Sequence, residues 1–474
     1  FLPKLKSLGI LAVDVMKKNI RWFLILLFLF SFILRITFAF LSPVKYWDET
    51  IYVNLGRNLL LYQEYSFLHG FADFSSNWPL AGFRPPLLPL FIAFFSLFSF
   101  NINLIILIVP FLSSLGVLAF FLFVRQLFND KIAIYSSLFF SIFPLNVFWG
   151  SKILTDAILL TMVLFSFYFF WKIFFEEQKR FSYIFLFGLF TALGFLSRYS
   201  MIWFFPVFFV FLLFKYKNLK FLIDKRLLLS IFVFFIIVGP WFIFNYYSYG
   251  TIFGFLNHAN DASLRWGANS FFSLVFYIFK DFGILLPFFI LGIFALKKEN
   301  KYSRFFIISW LIIIFLSLSF MGRKEERYII ILLPPILIIS IIGVNKLGKH
   351  KNYIFAFLLI LFSIFVFYNL FDLMSSYNSD QQNCFFNAMD FIGNSNATHM
   401  VTEHFSPVYF YTFKENIRVN NYTVIKDLID NNYEGKVIFY HYQDGDWFNL
   451  NYENSNLSNS LIYSCGNIKI FNLK

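Results

Sequence analysis

Residues 85–100 read PPLLPLFIAFFSLFSF, and whether they cross a membrane decides the side on which every later loop lies. The stretch is apolar enough to enter a bilayer, but it is short and starts on two prolines, whereas a spanning helix needs about 20 apolar residues. Around it lie longer apolar runs bounded by charge or by Gly, Pro and Asn. These are 22–41, 104–124, 132–149, 154–174, 182–197, 200–214, 228–248, 282–296, 305–321, 328–344 and 353–371, eleven candidate spans. Between them sit basic clusters: Lys4, Lys6, Lys17, Lys18 and Arg21; Arg125 and Lys131; Lys172, Lys179 and Arg180; Lys215, Lys217, Lys220, Lys225 and Arg226; Lys297, Lys298, Lys301 and Arg304; Lys346, Lys349 and Lys351. Together they hold 22 of the 39 Lys and Arg residues. All six clusters fall on one side if the N-terminus is cytoplasmic and 85–100 does not cross. The tendency of Lys and Arg to stay on the cytoplasmic side therefore fixes the orientation and makes 85–100 an interfacial or re-entrant helix. If it crossed, every later loop would invert.

Composition agrees with a membrane protein. Of 474 residues, 59% are hydrophobic and 14% charged, against about 25% charged in a typical soluble domain. Aromatics make up 24%, 77 of them Phe, which excludes disorder, and two cysteines cannot form a zinc cluster. The +13 charge is read as topology, not as nucleic-acid binding. The run 22–41 is too long for a cleavable signal.

Residues 372–474 differ, with six cations against eleven acids for a net charge of −5. Alternating stretches at Lys436-Val-Ile-Phe-Tyr-His and Leu461-Ile-Tyr-Ser read as strands, so this tail is expected to be a small α/β domain outside the membrane, following a transmembrane domain over 1–371. Both cysteines, Cys384 and Cys465, lie in it, so a disulfide is expected there. The sequons at Asn396, Asn421 and Asn456 fall on the same side, but an Asn-rich tail produces such triplets by chance.

Ionisable groups near a bilayer are costly, so those on the outer side are the first places to look for chemistry. Asp48 and Glu49 follow the first span in Tyr46-Trp47-Asp48-Glu49-Thr50-Ile51-Tyr52. Locally they suit the start of a helix running to about Gln63, with Asp48 as its cap; functionally they suit a general base or a metal ligand facing a cavity. Asp156, in the turn Ser151-Lys152-Ile153-Leu154-Thr155-Asp156, is another cap candidate, with Thr155 as its rival, and lies at the same depth as Asp48. Outer cations break the charge rule at Arg84, Arg198 and the run Arg323-Lys324-Glu325-Glu326-Arg327-Tyr328. They either snorkel and pair with Glu325 and Glu326 or clamp a phosphate, for which the planar guanidinium is suited. Arg35 is the one clear cation deep in a span, placed so near its end that it could snorkel. His258 and His69 are outer but have no metal-ligand spacing. No Walker loop, nucleophile elbow or dinucleotide fingerprint is present, and the cytoplasmic loops are too short for a nucleotide-binding domain.

At these residues the sequence resembles the GT-C superfamily of polyprenyl-phosphate-sugar-dependent glycosyltransferases, in the branch of protein O-mannosyltransferases and lipid A aminoarabinose transferases. Trp47-Asp48-Glu49 through Asn58 is similar to the acidic motif of that family's first outer loop, and Phe83-Arg84-Pro85-Pro86-Leu87 to its basic-Pro-Pro motif. Leu154-Thr155-Asp156-Ala157 is similar to the second acidic position, Phe195-Leu196-Ser197-Arg198 to a basic residue closing a later span, and Arg327-Tyr328 through Pro334-Pro335 to a late basic-Tyr-Leu-Pro motif. The similarity covers roughly residues 20–345 and leaves out the tail. It implies a polytopic α-helical membrane protein of GT-C type, with about 11 to 13 transmembrane helices, two juxtamembrane helices in the outer loop 42–103, and the small C-terminal extracytoplasmic α/β domain. Such a protein lies in a cell membrane, or in the endoplasmic reticulum of a eukaryote.

The resemblance also implies roles. Asp48 would activate or orient the acceptor, with Glu49 beside it. Asp156 would shape the cavity or bind a metal where one is used. Arg84, Arg198, Arg327 and Tyr328 would hold the donor's lipid phosphate. Some relatives carry a metal-binding Glu where this chain has Phe83, so a divalent metal is left open, with His258 and Asp156 as its weak candidates. The implied partners are a polyprenyl-phosphate-linked sugar donor, a lipid, glycan or protein hydroxyl acceptor and the bilayer, with no nucleic acid. A lipid or sugar transporter is the competing class. It would place acids or broken helices near the midplane in repeated halves, whereas here the acids cluster at the outer mouths and no repeat is evident. A receptor-like protein displaying the tail would need no outer cations at helix mouths.

Overall fold

The computed structural model describes residues 20–42, 47–66, 84–99, 101–178, 180–256, 270–377, 380–396, 399–402, 410–412, 415–418, 437–442, 461–465 and 468–472. The chain divides into two compact units. One comprises Phe1–Ala39, Phe83–Leu87 and Ile106–Asn369, the other Phe40–Gly82, Leu88–Ile105 and Leu370–Lys474.

Among the described residues nine helical stretches are long and apolar enough to cross a bilayer: Ile20–Phe40, Ile102–Leu127, Asp156–Phe174, Tyr199–Tyr216, Lys225–Tyr249, Phe271–Lys298, Lys301–Phe320, Glu326–Asn345 and Gly348–Asp372. Two further expected spans take other forms. Phe181–Ser197 is a helix of 17 residues, and 132–149 is broken into Asp130–Ile142 and Pro144–Trp149. The break has a local cause: Pro144 offers no N–H, and Phe143 before it is extended at φ −63° and ψ 123°.

Helical periodicity sorts the faces. Ile20–Phe40 buries Phe23, Leu27, Ser31, Arg35 and Phe38 and leaves Trp22, Leu26, Phe30 and Ile33 exposed, a stripe for lipid tails. Asp156–Phe174 and Leu333–Asn345 are buried nearly all round and form the middle of the first unit. Leu333–Asn345 meets Leu286–Ala295 backbone to backbone. A Cβ at Gly292 would run into the Ile339 carbonyl, and one at Gly343 into that of Phe288, so the close approach needs glycine at both positions. Arg35 does not snorkel. It is fully buried, and its Nη1 donates to Ser31 Oγ at 2.5 Å and to the Ser141 carbonyl at 3.2 Å.

Several basic clusters share one end of this unit. Ser303 Oγ donates to the Leu127 carbonyl at 2.7 Å, Arg226 Nη1 to the Ile173 carbonyl at 2.9 Å, and Lys215 Nζ to the Phe174 carbonyl. The segments around Trp149–Asp156, Arg198 and Arg323–Tyr328 lie at the opposite ends of these helices.

In the second unit, Trp47–Tyr62 is a helix with Asp48 and Glu49 in its first turn. Asp48 therefore stands inside that turn and is not the cap. Prolines 85 and 86 lead into Leu87–Ser96, 10 residues long. At 1.5 Å per residue that helix measures about 15 Å, half of a ~30 Å hydrocarbon core, so it is too short to span. The two helices cross closely: a Cβ at Gly56 would collide with Ile92 and the Pro89 carbonyl.

The tail folds as expected around the stretches that alternate. Strands β1 (His399–Thr402), β2 (Glu415–Arg418), β3 (Val437–Tyr442), β4 (Leu461–Cys465) and β5 (Ile468–Asn472) form one sheet in the order β2-β1-β3-β5-β4. The first three are parallel and the last two antiparallel to their neighbours. Helix Asp380–Gly393 packs on it through Cys384, Ala388, Met389 and Ile392, one helical face, against Ile468 and Ile470, one strand face. The expected disulfide is present, joining Cys384 to Cys465 across 81 residues of chain. Closing a loop of that size restricts the unfolded chain by about 4 kcal/mol. Cys384→Ser is thus expected to make the tail markedly more sensitive to limited proteolysis under conditions in which the wild-type tail resists, and equal resistance would show the link to be energetically idle. Of the sequons, Asn421 and Asn456 lie outside the described residues, as do Lys4 to Lys18.

Candidate active site

Asp156 opens the helix Asp156–Phe174, with Thr155 in the cap position, so its carboxylate faces the positive end of the helix dipole. Thr155 makes no side-chain cap bond. Asp156 instead pairs with Arg198: Nη1 stands 2.8 Å from Oδ1, and the carboxylate is 3% exposed. Arg198 reaches it because it occupies the extended joint, φ −161° and ψ 131°, between the Phe181–Ser197 helix and the 3-10 turn Tyr199–Phe204.

A second arginine converges on the same place. The chain enters Leu333–Asn345 through the 3-10 turn Glu326–Leu332, and Pro334 and Pro335 pre-set the first helical turn without wasting an N–H. This entry fixes Arg327 and Tyr328. The Arg198 guanidinium carbon lies 4.7 Å from the Tyr328 ring centroid and that of Arg327 5.6 Å, both within cation–π range. Glu325 holds Arg323 and Arg327, each at 2.7 Å. Glu326 takes Lys280 at 2.9 Å and also meets the carboxyl of Asp281. A cavity of about 370 Å³ opens here, lined by Trp149, Tyr277, Arg323, Lys324, Glu325, Glu326 and Arg327. Its size suits a small ligand, and its mixture of rings, guanidinium groups and carboxylates suits a polar, ring-shaped one.

The first unit thus brings together four of the residues singled out in the sequence, Asp156, Arg198, Arg327 and Tyr328. Arg84 belongs to this unit too, half-buried at the mouth of the Leu87–Ser96 helix. Asp48 and Glu49 belong to the second unit. Asp48 is half-buried and Glu49 fully buried on a helix whose Thr50, Asn54 and Asn58 are fully buried as well. His258, His69 and Phe83 lie outside the described residues. Among the described residues no three His, Cys, Asp or Glu side chains are placed to hold a metal ion. Sequence reasoning missed Trp149, Tyr277, Lys280 and Asp281. The last two left a signal, a charged pair interrupting the apolar run Phe271–Lys298.

Residues 83–244 match the family model described as dolichyl-phosphate-mannose-protein mannosyltransferase. Among solved structures, ArnT from Cupriavidus metallidurans bound to undecaprenyl phosphate superposes with a TM-score of 0.74 at 12% identity, covering 95% of this chain and 98% of ArnT. Its apo form gives 0.68. The oligosaccharyltransferase AglB from Archaeoglobus fulgidus, in complex with an inhibitory peptide and a dolichol-phosphate, gives 0.61 at 12% identity, over 89% of this chain and 70% of AglB. No curated protein sequence matches the chain significantly. The fold is thus ArnT-like, mostly helical with a small C-terminal sheet as the sequence led one to expect, and the described residues give nine candidate spans where about 11 to 13 were expected.

Proposed function

We propose, from this GT-C fold, that the protein is a membrane glycosyltransferase that moves a sugar from a polyprenyl phosphate to an acceptor hydroxyl on the outer face. The observation that carries the reading is the convergence of Arg198 and Arg327 on Tyr328, each guanidinium held by its own carboxylate, Asp156 and Glu325. Cations so fixed suit a phosphate whose charge grows as the sugar leaves, because they need no reorganisation at the moment of reaction. Arg84, in the basic-Pro-Pro motif, joins them in this reading.

Asp48 is the base that takes the proton of the acceptor hydroxyl, and Glu49 helps bind the acceptor. The hydroxyl oxygen attacks the sugar's C1 from the face opposite the phosphate, the C1–O bond to phosphate breaks, and the electron pair leaves on the polyprenyl phosphate. The configuration at C1 inverts. Phosphate is already a good leaving group, so the work of the protein is positioning and charge stabilisation. Asp156 Oδ2, buried without a hydrogen-bond partner among the described residues, would accept from a donor-sugar hydroxyl. The described residues do not fit a metal well: the buried carboxylate that would be its ligand, Asp156, stands against a guanidinium, which would repel a second cation. No step here runs through one.

Titration of undecaprenyl phosphate into the protein in nanodiscs is expected to saturate, and Arg327→Ala to weaken binding about tenfold or more, as for loss of a charge-assisted hydrogen bond. Equal binding by variant and wild type would remove Arg327 from the phosphate site.

A further inference from the structure

Arg35 has no part in the chemistry above, yet it is a buried cation inside a spanning helix, where charge is expensive. Its surroundings are all within the first unit. The break between Asp130–Ile142 and Pro144–Trp149 frees carbonyls in a place where water cannot satisfy them. Asn146 Nδ2 donates to the Phe140 carbonyl at 2.7 Å, replacing the N–H that Pro144 lacks. The Ser141 carbonyl, deprived of its partner by the extended Phe143, accepts from Arg35 Nη1 at 3.2 Å. The same nitrogen is anchored on its own helix by Ser31 Oγ at 2.5 Å. On the far side of the break Gly150 lies against the arginine, and a Cβ there would stand 2.9 Å from Nε. Ser113 Oγ donates to the Gly150 carbonyl at 2.9 Å, and Ser31 Oγ reaches Ser114 Oγ at 3.3 Å.

We infer that Arg35 is a positioning residue. It caps the broken helix from inside the bundle and so fixes the Trp149–Asp156 segment, which supplies Trp149 to the cavity lining and the carboxylate that holds Arg198. The inference rests on the glycosyltransferase reading for its catalytic consequence, though not for the capping itself. Nε and Nη2 of Arg35 have no hydrogen-bond partner among the described residues, so the guanidinium is a poor way to stabilise the bundle. An apolar side chain of similar length would avoid that cost. Arg35 therefore lowers stability and serves site geometry, and this separates a positioning role from a structural one.

The test uses full-length Arg35→Met and Arg35→Lys in nanodiscs. Arg35→Met is expected to melt at or above the wild-type midpoint. Amide exchange over 143–156 should rise about tenfold or more, with that of Leu333–Asn345 unchanged. Sugar transfer should fall about tenfold to a hundredfold in kcat, with donor KM within about threefold, as for a misplaced catalytic constellation. Arg35→Lys, which keeps a charged donor, should recover part of the loss. A midpoint several degrees lower, a failure of Arg35→Met to fold, or unchanged exchange over 143–156 would each overturn the inference. Loosened exchange with normal transfer would overturn the link to catalysis. Absence of transfer in the wild type would overturn the proposed reaction, while exchange and melting would still decide the capping role.

Discussion

Asp48→Asn protein is expected to fold as the wild type does and to lose sugar transfer by about 10²- to 10⁴-fold, the range for removing a general base. The substitution keeps size and shape and deletes only the basic oxygen. Asp48 is half-buried in the first turn of Trp47–Tyr62, where a carboxylate gains about 1 kcal/mol or less from the helix dipole. Acceptor and donor should still bind, and the loss should therefore lie in kcat. Glu49 makes a contrast, because it is fully buried and its neutralisation should disturb folding as well. If purified Asp48→Asn turns over at the wild-type rate, another group takes the proton.

Breaking the Asp156–Arg198 pair should have the second largest effect. Asp156 is 3% exposed and Arg198 22%, so Arg198→Leu leaves a buried carboxylate without its cation. Removing one partner of a buried pair costs about 3–5 kcal/mol, and the partial exposure of Arg198 places this case toward the lower end. Transfer should fall by about 10²- to 10³-fold, as for loss of one fixed donor to developing charge. The double variant Asp156→Leu, Arg198→Leu should regain most of the stability and none of the activity. Thermal midpoints and transfer rates of the single and the double variant, beside the wild type, check this. A single variant as stable as the wild type would mean that the pair is not buried in the working protein.

The membrane domain was readable because hydropathy and the placement of Lys and Arg report the same topology. Residues 85–100, ambiguous by hydropathy, were demoted by charge, and the helix they form is too short to span. The broken span at Pro144 was read as continuous because the run 132–149 is apolar on both sides of the break. In the tail, β3 and β4 alternate clearly and were readable, whereas β1 and β2 are four residues each, too short to show a period. The candidate residues Asp156, Arg198, Arg327 and Tyr328 could each be picked out as charges or rings at helix mouths. That Asp156 pairs with Arg198, and Lys280 with Glu326, could not, since it depends on which helix ends are neighbours.

The most direct test of glycosyl transfer is to incubate the purified protein in nanodiscs with polyprenyl-phosphate sugars extracted from native membranes and to follow both products by mass spectrometry. Transfer predicts that polyprenyl monophosphate appears in equal amount with a newly glycosylated acceptor, inverted at C1, and that neither appears with Asp48→Asn. Donor lipid that stays intact, or that crosses the bilayer without releasing its phosphate, would contradict transfer and favour a transporter.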